Sequence, residues 1–450
     1  MKTASIILAA GQGTRMRSKL PKVMHTILGK PLIWHAIKAV KELSDLPPVV
    51  VVGHGADLVR QSVADQAQFA LQAEQLGTGH AVMMAESALS GKADLILITF
   101  ADMPLLRAET LEALIRLHQS GTAPLTMTSV VGDVPRGFGR ILRDADGKVK
   151  AIIEEALATP EQLAIREYNV SAYCIDAAWL WASLPKIQVS PKGEYYLTDL
   201  VEIAVKEGHK VESLIVEDPS EAMGVNNRVH LAEAEAILRQ RINTAWMLAG
   251  VSLVDPLTTY IEQSVRIGQD TTIWPNTILQ GETVIGEDCV IGPNTVMRDT
   301  KVGDRSSVVA SDTDQAIIGN DVSMGPYCRL RKGAVLEDHV HMGNFGEVKD
   351  SHLGQGVKMG HFSYIGNAII GANVNIGAGT ITCNYDGEKK NVTEIGENTF
   401  IGSDTMLVAP LKIGKNAITG AGSVVTKDVP DDTLVLGVPA RPKFKVEKSE

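Results

Sequence analysis

Cysteine is scarce in this 450-residue chain: only Cys174, Cys289, Cys328 and Cys383, far apart and with no CxxC pair. That excludes a disulfide framework and a cysteine zinc site, and it fits a reducing cytoplasm. Long apolar runs are missing too, since none approaches the roughly 18 residues of a membrane-spanning helix. The short run Ser5 to Ala10 is followed at once by Gly11-Gln12-Gly13-Thr14-Arg15, so it reads as a buried first strand rather than an export signal. No basic run stands out, and 43 basic against 53 acidic residues give a net charge of -10. A broad nucleic-acid-binding surface is therefore excluded, and an anionic ligand must be met by a local site. Aromatics make up only 4% while glycine numbers 41, an imbalance that sits in the C-terminal half.

At about 150 residues per domain the length implies two or three domains. Up to Asn227, apolar runs at Ser5 to Ala10, Pro48 to Val52, Asp94 to Thr99 and Leu125 to Val131 read as strands. Between them, Pro31 to Leu43, Gly79 to Leu89 and Glu109 to His118 carry helical spacing. This alternation predicts an α/β domain over 1–227, whose ligands collect outside the carboxyl ends of the strands. Residues 228–250 read as a helix closed by Gly250, either a stiff connector or a terminal helix packed on the first domain.

From Tyr260 the period becomes six. Aliphatic residues fall at Ile261, Ile267, Ile273, Leu279, Ile285, Ile291 and Met297, slip, and resume at Ile318, Met324, Leu330, Leu336, Met342 and Val348. Further blocks run Leu353, Met359, Ile365, then Ile370 and Ile376, and finally Ile395 to Val425. A hexad with one aliphatic and one small residue fits a parallel β-helix over 251–450, with Gly and Asn at corners that need positive φ. Between Ile376 and Ile395 nineteen positions replace six, so a loop of about a dozen residues, containing Thr382-Cys383-Asn384-Tyr385-Asp386-Gly387, is expected to be extruded.

Leu8-Ala9-Ala10-Gly11-Gln12-Gly13-Thr14-Arg15-Met16, followed by Lys19-Leu20-Pro21-Lys22, places a glycine turn after a strand with cations behind it. Backbone N–H groups can then approach phosphate oxygens. The spacing is neither a P-loop nor a complete G-x-G-x-x-G, because Met16 stands at the third glycine. Asp102 before Met103-Pro104 reads by itself equally as a turn former or a metal ligand, and its place at a strand end tilts it towards the metal. Glu154 reads as a solvated carboxylate and Asn169 as a strand-end cap.

LAAGQGTRM...PK resembles the signature of sugar-phosphate nucleotidyltransferases. With Gln72 to Ala81, Gly193-Glu194-Tyr195-Tyr196, Gly224 to Arg228 and the hexads, nearly the whole chain is similar to the bifunctional N-acetylglucosamine-1-phosphate uridyltransferase/glucosamine-1-phosphate acetyltransferase family. That resemblance implies a Rossmann-like mixed sheet followed by a left-handed parallel β-helix of hexapeptide repeats. It further implies that Leu8, Ala9, Ala10, Gly11, Gln72, Gly77 and Thr78 hold the uridine of UTP, that Arg15 and Lys22 act on the triphosphate, and that Asp102 and Asn226 bind Mg²⁺. Gly139, Glu154 and Asn169, with Tyr196 and Thr198, match its positions for N-acetylglucosamine-1-phosphate. Where the family has Tyr or Ala and then Gly before the metal-binding Asp, this chain has Phe100-Ala101.

In the C-terminal half, acyl transfer from a thioester to an amine needs a general base, and His361 in Gly360-His361-Phe362-Ser363-Tyr364 leads, with His339, His341 and His352 competing. Glu347 is a candidate for orienting the imidazole, or a solvated carboxylate. By resemblance Arg331, Lys349, Tyr364 and Asn375, with Asn384 and Tyr385, bind glucosamine-1-phosphate, while Lys390 reads as a solvated loop lysine. Ala378, Ser403 and Ala421 match acetyl-CoA positions, with Arg441 standing in for the family's C-terminal arginine. The resemblance implies a cytoplasmic homotrimer with acetyltransferase sites between chains, and no nucleic-acid or membrane partner. The competing reading is a sugar nucleotidyltransferase whose β-helix only assembles or regulates.

Overall fold

The computed structural model describes residues 1–133 and 137–445. Two compact units divide at Leu238/Arg239, within the helix Arg228–Leu248.

In the first unit the strands are β1 (Thr3–Ala9), β2 (Val49–Val52), β3 (Gln68–Leu71), β4 (Leu95–Phe100), β5 (Leu125–Val131), β6 (Arg140–Arg143), β7 (Val149–Ile153), β8 (Glu167–Asp176) and β9 (Val211–Ile215). The main sheet runs β9-β5-β8-β4-β1-β2-β3, with β6 pairing β8 and β7. Strands β3, β2, β1 and β4 are parallel neighbours, and β8 runs antiparallel between β4 and β5. The four expected strands are present, and the sheet is mixed. Strands β1 and β2 are fully buried, as apolar runs covered on both faces must be, with helix Leu32–Lys41 laying Ile33, Ala36, Ile37 and Val40 against one face. The chain moves outward from β1 through β2 to β3 and returns to β4 on the other side of β1. That reversal opens a crevice at the carboxyl ends of β1 and β4. The helix expected over Gly79 to Leu89 is two short helices, Thr78–Met83 and Glu86–Leu89.

His35 on the first long helix is buried, with Nε2 3.3 Å from the Ile27 carbonyl. Burial pushes its pKa down to about 4, below the ordinary 6.5. The unfolded chain therefore binds a proton that the folded one refuses, so this stabilisation is complete above pH 6.5 and is lost as the pH falls towards 4. The loss is on the order of 3 kcal/mol. In urea unfolding followed in the first unit, the advantage of the native protein over His35→Gln should shrink across that window.

Helix Arg228–Leu248 ends as expected at Gly250, whose φ is +96°. The Val251 N–H donates to the Trp246 carbonyl at 3.0 Å and the Gly250 N–H to that of Met247 at 3.2 Å, the paired bonds of a Schellman cap. Its last turns lay Ile242 and Trp246 on the core of the second unit.

That unit is a triangular prism of three parallel sheets, with one strand per side in each turn. Registers such as Ile261↔Leu279 and Ile273↔Ile291 advance by 18 residues, three hexads per turn. The inward residues Ile261, Leu279, Met297, Leu330, Met342 and Ile365 form one continuous buried column system. Where the period slips, Ile291 pairs Val308 and Met297 pairs Thr313, so corner residues are deleted while the inward positions stay aligned. Corner positive φ falls largely on Asn and Asp, including Asn276, Asp288, Asn294 and Asp321, which tolerate the left-handed region.

The extruded loop is shorter than expected. Thr382 is buried and pairs Leu407, so Ile381–Cys383 is a full prism side whose inward position carries a threonine in place of an aliphatic residue. The excursion begins after Cys383 and returns at Thr393–Ile395. Asp386 shapes it by accepting the N–H groups of Glu388 and Lys389. A final hairpin, Thr433–Gly437 and Ala440–Lys445, turns at Gly437 (φ +102°).

Candidate active sites

The crevice at the carboxyl ends of β1 and β4 is a pocket of about 630 Å³. Leu8, Ala9, Ala10, Gly11, Arg15, Lys22, Gln72, Gly77, Thr78, Asp102 and Asn226 all line it, gathering residues scattered over the first 226 positions. Gly13 at φ +63° makes the turn after β1, and a side chain there would strike Lys22 Cβ at 2.5 Å. At Gly11 a Cβ would meet nothing within 4 Å, so the protein itself does not need glycine there and the bare backbone leaves room for a ligand.

Lys22 Nζ lies 2.5 Å from Asp102 Oδ2 and 3.5 Å from Asn226 Oδ1, and the Arg15 guanidinium donates to the same Asn226 oxygen at 2.9 Å. One carboxylate and one amide oxygen thus already share a cation. Among the described residues there is no cluster of three or more His, Cys, Asp or Glu able to hold a metal. Two protein oxygens suit Mg²⁺, which keeps several waters and takes its other ligands from phosphates.

The opposite wall is a loop clamped to the segment around Tyr195. The Gly79 N–H donates to the Tyr195 carbonyl at 2.8 Å, and the Leu197 N–H to the Thr78 hydroxyl at 2.9 Å. Gln72 donates to the Gly77 carbonyl at 3.0 Å, so it shapes this wall as well as lining it. Gly77 has φ +103°, and a Cβ there would fall 2.6 Å from the Tyr195 carbonyl oxygen. Gln75, Phe100 and Glu194 also line the pocket and had no assigned role; the polar pair Gln72/Gln75 after β3 was the available signal.

Gly139, Glu154, Asn169 and Thr198 are not on that lining. They form two adjoining pairs instead. The Asn169 N–H donates to the Gly139 carbonyl at 2.9 Å, and the Thr198 hydroxyl donates to Glu154 Oε1 at 2.9 Å. Asn169 stands at a register shift in β8, where Ser171 has φ +62°, a bulge of the kind that re-aims side chains beside a site. Glu154 is no solvated carboxylate: burial raises its pKa, against the lowering effect of the Thr198 hydroxyl. Tyr196 does line the pocket.

On the prism, Arg331, Lys349, Tyr364 and Asn384 fall on or beside successive strands of one sheet, in which Glu347 pairs Tyr364 and Lys349 pairs Gly366. A Cβ on Gly366 would lie 2.4 Å from the Tyr364 hydroxyl and 2.7 Å from Asn384 Nδ2, so both side chains converge over that glycine. Asn384 is 7% exposed and donates to Asn367 Oδ1 at 2.8 Å. Tyr385 is exposed at the loop tip. Within the chain the Glu347 carboxylate pairs with Arg331 at 3.0 Å. Lys390 is exposed on the loop, as a solvated lysine is, and the neighbouring Lys349 amine lowers its pKa. Asn375 lies one sheet away, between Lys358 and Phe400, because it precedes the corner that the others follow.

His361 is exposed at that corner. Ala378, Ser403 and Ala421 repeat its position on the next three turns: each follows a corner glycine, with a Cβ on Gly377 meeting Ser403 N at 2.5 Å and one on Gly402 meeting Ala421 N at 2.7 Å. Gly360 breaks the stack, since a Cβ there meets nothing within 4 Å. Open space therefore adjoins His361. Arg441 pairs Leu436 in the final hairpin, and a Cβ on Gly420 would touch Leu436 Cβ at 2.8 Å, so the hairpin reaches the same corner. Of the competing histidines, His352 is engaged by Glu337 at 2.7 Å, and His339 lies 3.9 Å from Asp321.

A ligand-sized pocket with Arg15 and Lys22 at the reversal point of an α/β sheet, followed by a hexapeptide prism, defines a nucleotidyltransferase joined to a hexapeptide-repeat transferase. Residues 5–159 match the MobA-like NTP transferase domain, 257–346 the GMPPB C-terminal domain and 393–427 the bacterial transferase hexapeptide repeats. The bifunctional protein GlmU of Heliobacterium modesticaldum is 46% identical over 450 residues, covering 100% of this chain and 97% of its own. That of Streptococcus suis is 46% identical over 434 residues, 96% and 94% of the two chains, and that of Listeria monocytogenes 43% over 434, 96% and 95%. The chain belongs to the bifunctional GlmU family. All four cysteines are free, and no helix among the described residues is long and apolar enough to cross a membrane.

Proposed function

We propose that the chain makes UDP-N-acetylglucosamine in two reactions. Glucosamine-1-phosphate first takes acetyl from acetyl-CoA on the prism. N-acetylglucosamine-1-phosphate and UTP then react in the N-terminal pocket and release pyrophosphate. The observation that carries the reading is the cluster of Arg15, Lys22, Asp102 and Asn226 at the head of a glycine turn.

In the uridylyl step a sugar-phosphate oxygen attacks the α-phosphorus of UTP; that P–O bond forms as the bond to pyrophosphate breaks, with no covalent enzyme intermediate. Both reactants are anions, so the residues must neutralise charge and hold the groups in line. Arg15 and Lys22 face the triphosphate, the wall from Gln72 to Thr78 faces the base, and Glu154, Asn169 and Gly139 face the sugar. Asp102 and Asn226 would hold Mg²⁺, which supplies further neutralisation on the phosphates.

In the acetyl step His361 takes a proton from the amine as its nitrogen attacks the thioester carbonyl. The C–N bond forms, the C–S bond breaks, and the proton passes to the departing thiolate. Arg331, Lys349 and Lys390 meet the sugar phosphate, and Ala378, Ser403, Ala421 and Arg441 line the course of acetyl-CoA. On one chain His361 and Gly366 stand at opposite ends of a prism side, about 16 Å apart at strand rise. A second copy that lays its His361 corner against this sheet would complete the cleft, which supports a homotrimer with sites between chains.

Two assays on one preparation test the reading. Thiol release from acetyl-CoA should require glucosamine-1-phosphate, and pyrophosphate release from UTP should require N-acetylglucosamine-1-phosphate and Mg²⁺. Pyrophosphate release without thiol release would leave the prism an assembly module.

A further inference from the structure

Asp102 and Asn226 come from distant segments, and something must hold their oxygens at a fixed separation. Three contacts tie those segments together. The Val225 N–H donates to the Asp102 carbonyl at 2.8 Å. Met103 and Ala222 pack in one small apolar cluster with Val130, Tyr168, Val170 and Val216. The third contact is ionic: Glu221, only 3% exposed, accepts the Arg107 N–H at 2.9 Å through Oε2 and faces Arg107 Nε at 3.6 Å through Oε1.

A buried carboxylate is costly unless paired, and this one is spent on a backbone amide and a guanidinium of the other segment. Arg107 stands just before the helix Ala108–Ser120 and its guanidinium reaches Asp218, which caps the turn Pro219–Ala222 that carries Glu221. Arg107 thus grips that turn at two carboxylates, and Asn226 follows it by a few residues. Neither Glu221 nor Arg107 lines the pocket.

We propose that Glu221, acting through Arg107, is a positioning residue for the Asp102/Asn226 oxygen pair, and that it sets the affinity of the uridylyltransfer site for divalent cation. The inference rests on the assignment of those two oxygens to Mg²⁺. Without Glu221 the Arg107 amide loses its acceptor, and the turn is held to the Asp102 segment only by the Val225–Asp102 bond, the apolar cluster and Asp218, so the spacing of the two oxygens loosens.

The test is Mn²⁺ binding followed by electron paramagnetic resonance, alongside the half-saturating Mg²⁺ concentration for pyrophosphate release. Glu221→Ala should weaken Mn²⁺ binding about tenfold and raise the half-saturating Mg²⁺ in parallel, the size seen when groups supporting metal ligands are removed. The rate at saturating Mg²⁺ should stay within about threefold of native, with acetyl transfer unchanged. Glu221→Gln keeps an oxygen for the Arg107 amide and should recover most of the affinity. Unchanged Mn²⁺ affinity in a folded Glu221→Ala protein overturns the proposal, as does a rate loss that high Mg²⁺ does not restore. Should Glu221→Ala fail to fold, Glu221→Asp, one methylene shorter, must show the same weakening or the proposal falls. A native protein with no Mg²⁺-dependent pyrophosphate release would instead overturn the uridylyltransfer reading.

Discussion

Replacing His361 by alanine should cut acetyl transfer by about 10²- to 10⁴-fold, the usual worth of a positioned general base. Thiol release measures this directly. The substitution is mild for the fold because His361 is exposed at a corner and its neighbours Met359 and Ile365 supply the inward packing. The attacking amine is protonated near neutral pH and must lose a proton before or during attack, which is the task assigned to the imidazole. His352 is held by Glu337 on another sheet, and Glu347 is held by Arg331. Pyrophosphate release from UTP should be unaffected in the same protein.

Asp102→Ala should have the complementary effect, lowering pyrophosphate release on the order of 10²- to 10³-fold with thiol release intact. Its carboxylate is the one anionic member of the four-residue cluster, and Lys22 Nζ is 2.5 Å from it. Removing it takes away the charged oxygen assigned to Mg²⁺ and frees Lys22 from its anchor, so two aligned positive charges lose their place at once. Asp102→Asn keeps the shape and the neutral oxygen but not the charge. If it retained native rates, the carboxylate would be structural and the reaction would rest on Arg15 and Lys22 alone.

The prism was legible because its inward residues recur at every sixth position, a periodicity that survives wherever the inward residue is aliphatic. It was obscured at Thr382, where a buried threonine fills the inward place and made the following loop look longer than it is. Strands β1, β2, β4 and β5 were legible as apolar runs, whereas the half-exposed parallel edge strands β3 and β9 were not. The central antiparallel strand β8 was not, because it pairs non-locally with β4 and β5 and carries a bulge at Ser171. For the first site, glycine spacing and nearby cations exposed the turn after β1, yet only the fold brings Asn226 to Arg15 and Lys22. Glu154 read as a solvated charge by composition. Its burial beside Thr198 is a tertiary fact that no local pattern carries.

Two chemically separate centres on one chain can be tested by complementation. Glucosamine-1-phosphate, acetyl-CoA, UTP and Mg²⁺ are supplied together, and formation of UDP-N-acetylglucosamine is followed with His361→Ala protein, with Asp102→Ala protein and with both mixed. Each alone should make almost none, and the mixture should recover it, because the acetylated sugar phosphate released by one protein is the acceptor for the other. A mixture as inactive as its components, with both proteins folded, would contradict the account.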